Sequence, residues 1–451
     1  MFVVGGAIRD TLLKKPIKDI DLVTDLPYAS LIKAIESAGL ALAEDKTAAA
    51  HLIARITSPE GLVDIATLRK DISTDGRHAE VAYTDKIEED LARRDLTINA
   101  MAMEIDHKGN RVGETIDPFD AREDIAFRYI ELVGDPDKRI TEDYLRMLRV
   151  ARFATLMGPS VKIDPATVQA CRKHAANIKS ISKERIRDEI MKALTYDNAG
   201  WMFRHMRDLG LLEYVIPDLQ AGVSTSQNKH HADPVMEHLC FCVDNCKGKK
   251  YTPLLKLATL FHDIAKPHTK KIINGDATFY KHEVEGARLT YLWMKEYKYS
   301  SKEIQYVVKM VRHHQWRFED NTTDKAYRKW LQEVGKEHWR DLVRLRMADR
   351  RGNRAKTGRP TITSKMKDLI RNVRRIIRLG HPIFVEDLAI NGNDLRELGV
   401  KPGPIYKDIF SNILGLVLVR PECNERAWLI NFVKKNYVDK QAKDNNDKQH
   451  V

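Results

Sequence analysis

The run Phe2-Val3-Val4-Gly5-Gly6-Ala7-Ile8-Arg9-Asp10-Thr11-Leu12-Leu13, followed by Lys18-Asp19-Ile20-Asp21-Leu22-Val23-Thr24, decides the reading of this 451-residue chain. A short apolar strand ends in a glycine pair and a helical stretch follows. A second strand, Ile20 to Val23, then opens beside two aspartates at alternate positions. Alternate side chains of a strand share a face, so Asp19 and Asp21 are expected to project together, with Ile20 and Leu22 turned to the core. Two carboxylates held that way suit Mg²⁺, a hard cation bound through a few carboxylates plus substrate phosphates. The glycine pair lets backbone N–H groups approach a triphosphate closely. An exposed strand face also carries two acids often enough; the glycine turn about a dozen residues upstream favours the metal.

Outward from this stretch, the first ~130 residues mix strands and helices. Leu52 to Ile56 and Leu62 to Ile65 read as strands around a Ser58-Pro59-Glu60-Gly61 turn. Tyr28 to Ala38 reads as a helix ended by Gly39. Asp64, inside an apolar strand, is either a third carboxylate that binds metal or accepts a proton, or a strand-end aspartate in a turn hydrogen bond. After about Ile140, apolar residues recur at three and four, as in Leu145, Leu148 and Ala151, and an all-helical body is expected. The expected division is a head over 1–135, a neck over 136–225, a third domain over 226–355, a helical tail over 356–440 and a frayed polar end over 441–451.

Composition sets the frame. Hydrophobic residues are 43% and charged residues 31%, as in a soluble globular protein. No apolar run approaches the ~20 residues of a transmembrane helix. The N-terminus lacks the basic flank and cleavage site of a signal peptide, and five cysteines do not suggest a disulfide framework, so a cytoplasmic setting is the default expectation. The net charge is +12, and Arg340 to His381 alone carries 14 Lys/Arg against 3 Asp/Glu. Such asymmetry points to a polyanion, most often nucleic acid.

Further clusters have chemistry of their own. Arg93-Arg94-Asp95 offers two phosphate-binding forks and an acceptor for a ribose hydroxyl, or a surface ion pair. Asp143 and Arg146 are expected at i and i+3 on a helix capped by Thr141, where they form either an ordinary ion pair or an acceptor and donor set for the edge of a base.

Taken together, these segments resemble the class II tRNA nucleotidyltransferases, the CCA-adding enzymes, and the related bacterial poly(A) polymerases of the polymerase β-like superfamily. The resemblance rests on Gly5 to Asp10 with Asp19 to Thr24, on Arg93-Arg94-Asp95-Leu96-Thr97-Ile98-Asn99, on Ile116-Asp117-Pro118-Phe119-Asp120, on Glu142-Asp143-Tyr144-Leu145-Arg146 and on Glu184 to Glu189, five motifs in order. It implies an α/β polymerase β-like nucleotidyltransferase head followed by a helical neck. Two Mg²⁺ ions would sit on Asp19 and Asp21. Gly5, Gly6 and Arg9 would position the triphosphate, and Arg94, Asp95 and Asn99 the ribose. Asp143 and Arg146 would select CTP and then ATP, with tRNA as the acceptor. The family's flexible loop corresponds to the segment with Asp75-Gly76-Arg77-His78, which here has Ala79 where proline is frequent and Ser73 near where tyrosine is frequent.

His238, His262-Asp263, His282, His313-His314 and Asp349 form an imidazole and carboxylate set suited to a divalent ion. Their order resembles the HD phosphohydrolase domain, which implies a further divalent metal and phosphatase or cyclic phosphodiesterase activity. Cys240, Cys242 and Cys246 lack zinc-site spacing and read as core residues of one helix. Leu388 to Val400 with Lys401-Pro402-Gly403-Pro404, before a helix from Ile405 to Val419, resembles the tail of bacterial CCA-adding enzymes. The main expectation is CCA addition to tRNA. A poly(A) polymerase or a CC-only or A-only enzyme is the alternative, then an HD phosphohydrolase repairing RNA ends, then a non-enzymatic RNA-binding protein.

Overall fold

A computed structural model of the chain describes residues 1–17, 19–43, 52–58, 61–74, 79–319 and 321–439. The loop core at 75–78 and the polar end at 441–451 lie outside the described residues. The chain forms two compact units: residues 1–311 with 351–355, and residues 312–350 with 356–451.

The first unit opens with a mixed seven-stranded sheet in the order β3-β4-β5-β2-β1-β8-β9. These strands are β1 (Phe2–Val4), β2 (Asp21–Thr24), β3 (Ala41–Leu42), β4 (Ile53–Ser58), β5 (Gly61–Thr67), β8 (Ala102–Ile105) and β9 (Arg111–Ile116). A separate hairpin pairs β6 (Arg69–Thr74) with β7 (Ala79–Tyr83). The central strand β1 runs antiparallel to both β2 and β8, while β2 runs parallel to β5. The β4–β5 hairpin and the helix Tyr28–Ser37 lie where the sequence puts them. Ile20 does not. It precedes β2 and is 55% exposed, so burial in this strand begins at Leu22 and Val23, which point to opposite faces and join different cores.

Val4, Val23, Leu68, Leu91 and Ala102 form one core beneath the central strands, with Leu31, Ile35, Ile56 and Ile65 a second under the β4–β5 edge. Helix α1 (Gly6–Leu12) starts directly at the end of β1, and α2 (Ile87–Ala92) follows the β6–β7 hairpin. The helical body begins with α3 (Pro136–Glu142), α4 (Arg146–Met157) and α5 (Lys183–Ala193). Helix α4 is nearly all buried and stops at Gly158, whose φ of 98° suits glycine.

Farther along, the helix Gly200–Asp208 buries His205 beside Trp201. Burial pushes that imidazole down to about 4. Below the ordinary value of ~6.5 the unfolded chain takes up a proton there and the folded chain does not, so folding stability falls with pH between about 6.5 and 4. The loss from this group amounts to about 3 kcal/mol at the lower end. Urea titrations at pH 7 and pH 4.5 are expected to show it, and His205→Phe to reduce the difference.

The second unit has a core of its own from Leu388, Ile390, Leu395, Ile409, Ile413 and Leu429. The helix Ile405–Val417 and the asparagine-capped turn of helix at Gly392–Glu397 build it, much as the sequence indicates. In the helix Ser364–Arg378, Met366, Leu369, Val373 and Ile376 are buried at helical spacing, with the basic residues on the remaining surface.

Candidate active site

Gly5 occupies the turn between β1 and α1 with φ 69°. A Cβ there would lie 2.8 Å from Arg94 Nη1 and 3.9 Å from Asp21 Oδ2, so glycine is required both by backbone and by space. The turn thereby brings three parts of the chain to one point: the glycine pair, the aspartate strand and the arginine segment after α2.

Two cavities meet there. The first, of about 480 Å³, is lined by seven arginines and three aspartates, with Gly5, Gly6 and Asn99 at its floor and Phe153 on one wall. The second, of about 810 Å³, shares Gly6, Arg9 and Asp21 with it and adds Asp19, Lys15, Lys192 and Tyr196. Asp19, just before β2, and Asp21, its first residue, both line the second cavity, and Asp21 alone of the two also lines the first. Among the described residues, neither carboxylate takes a side-chain hydrogen bond or ion pair. Nearly every other aspartate here is matched with an arginine, so this pair retains the ligand capacity that a divalent cation needs.

The arginines are fixed by buried acceptors. Asp90, fully buried on α2, takes Arg93 Nη2 at 2.8 Å and Arg94 Nη2 at 3.1 Å. Burial pushes its carboxyl up, and the two guanidiniums more than reverse that, holding it below the usual range. Arg94 Nη1 also donates to the Asn99 carbonyl at 3.3 Å. Arg9 Nη1 donates to Asn99 Oδ1 at 2.6 Å, and Asn99 Nδ2 to Asp95 Oδ1 at 3.2 Å. Asp95 receives Arg149 Nε at 2.5 Å; burial raises its carboxyl, but Arg149 holds it far below the ordinary carboxylate range. Arg9, Arg149 and Arg152 all lie over the Phe153 ring, between 3.9 and 5.4 Å from its centroid.

Asp143 and Arg146 both line the first cavity, but not from one helix. Asp143 is extended (φ −157°, ψ 105°) between α3, which ends at Glu142, and α4, which begins at Arg146. Thr141 is not a cap: it sits in the last turn of α3 and its hydroxyl donates to the Lys138 carbonyl. Asp143 instead accepts from Leu145 N at 3.1 Å and from Arg185 Nη2 at 2.7 Å. Arg146 Nη1 donates to Glu142 at 2.5 Å and to the Arg139 carbonyl at 2.8 Å. Each member of the pair is thus braced by a residue outside it. Asp90, Arg149 and Phe153 complete the site without having been singled out from the sequence, and Glu142 and Arg185 join it from motifs in which they had no assigned role. A signal did exist for Asp90, which stands three and four residues before Arg93 and Arg94 on a helix.

Asp64 has a different setting. The β2–β5 register pairs Leu22 with Ile65, which sets Asp64 across from Asp21, yet its carboxylate is taken by Arg55 through two 2.7 Å bonds. The Arg55 hydrogen bonds hold it below the ordinary range, and it lines neither cavity.

A second constellation lies in the same unit. Asp263 is buried with His262 Nε2 at 3.2 Å, His282 Nε2 at 3.0 Å, Lys266 Nζ at 2.7 Å and His238 Nε2 at 3.8 Å. Burial pushes its carboxyl up, but His262 and Lys266 hold it well below the usual range. His262 Nδ1 donates to the Thr259 carbonyl at 2.7 Å and His282 Nδ1 to the Phe279 carbonyl at 2.6 Å, since a carbonyl only accepts. Both Nε2 atoms therefore face the Asp263 carboxylate, a contact that a proton on the ring or a shared metal cation satisfies. Backbone carbonyls on the far nitrogen are also the usual brace of metal-binding histidines. His313, His314 and Asp349 belong to the second unit, the first two at the end of the helix Ser301–His313 and the third in Trp339–Gly352. Cys240 and Cys242 are buried on the helix Val235–Asp244, and Cys246 lies beyond its end.

Three family models match the chain: "Poly A polymerase head domain" over residues 1–131, "Probable RNA and SrmB- binding site of polymerase A" over 160–222, and "HD domain" over 250–351. The chain thus carries a polymerase-type head, a helical polymerase segment and an HD domain in that order. The mitochondrial CCA tRNA nucleotidyltransferase 1 of Danio rerio is 36% identical over 237 residues, covering 51% of this chain and 53% of that protein. The multifunctional CCA protein of Paraburkholderia phymatum is 33% identical over 279 residues, 60% of this chain and 63% of its own. The chain spans between half and two-thirds of the length of these curated relatives. In fold it is similar to the Bacillus stearothermophilus CCA-adding enzyme solved with CTP, with a TM-score of 0.67 at 24% identity over 97% of this chain and 94% of that one. A CCA-adding enzyme solved with ATP gives a TM-score of 0.58 at 18% identity over 96% and 91%. No described helix is long and apolar enough to cross a membrane.

Proposed function

We propose that this chain is a CCA-adding tRNA nucleotidyltransferase, which builds or repairs the 3′-terminal CCA of tRNA from CTP and ATP. The observation that carries the reading is the pair of cavities joined at Asp21. One is arginine-rich and suits a nucleoside triphosphate; the other opens beside Asp19 and suits the end of an RNA acceptor. In-line displacement at phosphorus needs separate places for the nucleophile and the leaving group, and two cavities that share Gly6, Arg9 and Asp21 support that reading.

Asp19 and Asp21 would hold two divalent ions, Mg²⁺ by the chemistry of the ligands, which would activate the attacking 3′-hydroxyl and neutralise the departing pyrophosphate. Gly5 and Gly6 leave room for the phosphates, and Arg9 and Arg94 orient them. The 3′-oxygen bonds to the α-phosphorus as the bond to the β-phosphate oxygen breaks. Asn99 and Asp95, locked together and to Arg149, present acceptors to the ribose. Asp143 and Arg146, braced by Arg185 and Glu142, are the base-selecting pair; their edge is rigid, so the protein takes the part of a template. The basic run from 340 to 378 contacts the tRNA backbone and sets affinity and salt dependence rather than base choice.

The geometry around Asp263 favours a second activity on the same chain, metal-dependent phosphohydrolysis. His238, His262, Asp263 and His282 would hold the ion. His262→Ala is expected to leave nucleotide addition within about twofold and to abolish release of phosphate from a 3′-phosphate or 2′,3′-cyclic phosphate substrate. Equal loss of both activities would count against two separate sites. The proposal as a whole is tested by extension of a tRNA lacking CCA, resolved nucleotide by nucleotide.

A further inference from the structure

Cys242 is more than a core residue of its helix. On the helix Val235–Asp244 it follows His238 by four residues and so shares its face. Its Sγ lies 3.6 Å from His238 Nε2 and 3.7 Å from Nδ1. His238, Cys242 and His262 each bring a ligand atom within 4.8 Å of the others, and all three are buried. Asp263 Oδ2 lies beside both imidazoles, 3.2 Å from His262 Nε2 and 3.8 Å from His238 Nε2, and pairs with Lys266 Nζ at 2.7 Å. A nitrogen and a sulfur on one tetrahedral ion, at the usual 2.0–2.1 and 2.3 Å, would be separated by about 3.6 Å. The backbone of Gly352 closes over the thiol, and a Cβ there would lie 2.5 Å from Sγ, which limits where the sulfur can turn.

We propose that Cys242 is a ligand of the ion held by the histidine constellation, adding a sulfur to its nitrogen and oxygen donors. The inference rests on the reading of that constellation as a metal centre. A thiolate changes what the centre accepts. Soft sulfur favours Zn²⁺, Co²⁺ or Ni²⁺ and disfavours Mg²⁺, the ion suited to the all-oxygen aspartate pair of the head. One chain would then sort two metals by ligand chemistry: hard ions to Asp19 and Asp21, transition ions to the buried cluster.

The test is optical and needs no turnover. The full-length protein is stripped with chelator, reloaded with Co²⁺ alone and read for visible d–d bands and for the near-ultraviolet thiolate-to-Co²⁺ charge-transfer band. Both are expected in the unsubstituted protein. Cys242→Ser is expected to remove the charge-transfer band while d–d bands remain, and Cys240→Ser and Cys246→Ser to keep both. X-ray absorption of the unsubstituted Co²⁺ protein gives the same answer without a variant, through a sulfur neighbour near ~2.3 Å. Tetrahedral d–d bands lost in His262→Ala, but with no charge-transfer band and no sulfur neighbour, would overturn the Cys242 assignment and leave the metal centre standing. Absence of any tetrahedral Co²⁺ would overturn both.

Discussion

Asp21→Ala is expected to lower the rate of nucleotide addition on the order of 10³-fold or more, with binding of tRNA retained. Asp21 is the carboxylate common to both cavities, and no described side chain competes for it. Metal stabilisation of the charge that develops on the attacking and leaving oxygens contributes several kcal/mol, and each ~1.4 kcal/mol is a factor of ten in rate. The arginines that hold the triphosphate are anchored by Asp90, Asn99 and Asp95, not by Asp21, so nucleotide affinity should change far less than the rate. Single-turnover extension with CTP, beside filter binding of the tRNA, separates the two. A variant that still adds nucleotides at near the original rate would refute the assignment of the metal site.

Asp90→Ala is expected to lose about 3–5 kcal/mol of stability, the usual consequence of removing one side of a buried ion pair. Asp90 is fully buried and faces both Arg93 and Arg94, which without it would confront each other with no acceptor between them. Arg94 also lies against Gly5 and so forms part of the phosphate-facing wall, and nucleotide binding should weaken at least about tenfold as it swings free. Urea unfolding gives the first quantity and nucleotide titration the second. Asp90→Asn keeps the shape and a carbonyl acceptor and should show the binding defect in a folded protein. The exposed neighbour Glu88→Ala should stay within about 0.5 kcal/mol of the original. Equal effects at Glu88 and Asp90 would contradict this account.

What the sequence revealed, and what it hid, follows from the range of the interactions. The Gly5-Gly6 turn and the pairing of β4 with β5 are local consequences of turn chemistry and of the apolar pattern, and both were legible. Ile20 was misjudged because strand β2 starts one residue later, leaving it outside the pleat. Asp143 and Arg146 were correctly brought to one cavity for a partly wrong reason. The spacing suggested a helix face, whereas Asp143 is extended and is held by Arg185, 42 residues away. Arg149, Phe153 and Arg185 enter the site from helices whose approach to the head depends on tertiary packing, which no local period encodes. The ion pair of Arg55 with Asp64 likewise arises from strand register, set nine residues apart across a hairpin. The spacing of the cysteines carries no zinc signal, whereas the imidazoles nearest Cys242 stand one helical turn back, at His238, and at the end of the next helix, at His262.

The central claim is tested most directly by incubating a tRNA transcript that lacks CCA with the protein, Mg²⁺ and CTP, ATP or both, and reading the products at single-nucleotide resolution. The account predicts two additions with CTP alone and, with both nucleotides, a third addition of A followed by a stop. A long ladder of A with ATP alone, or no extension under any condition, would contradict it.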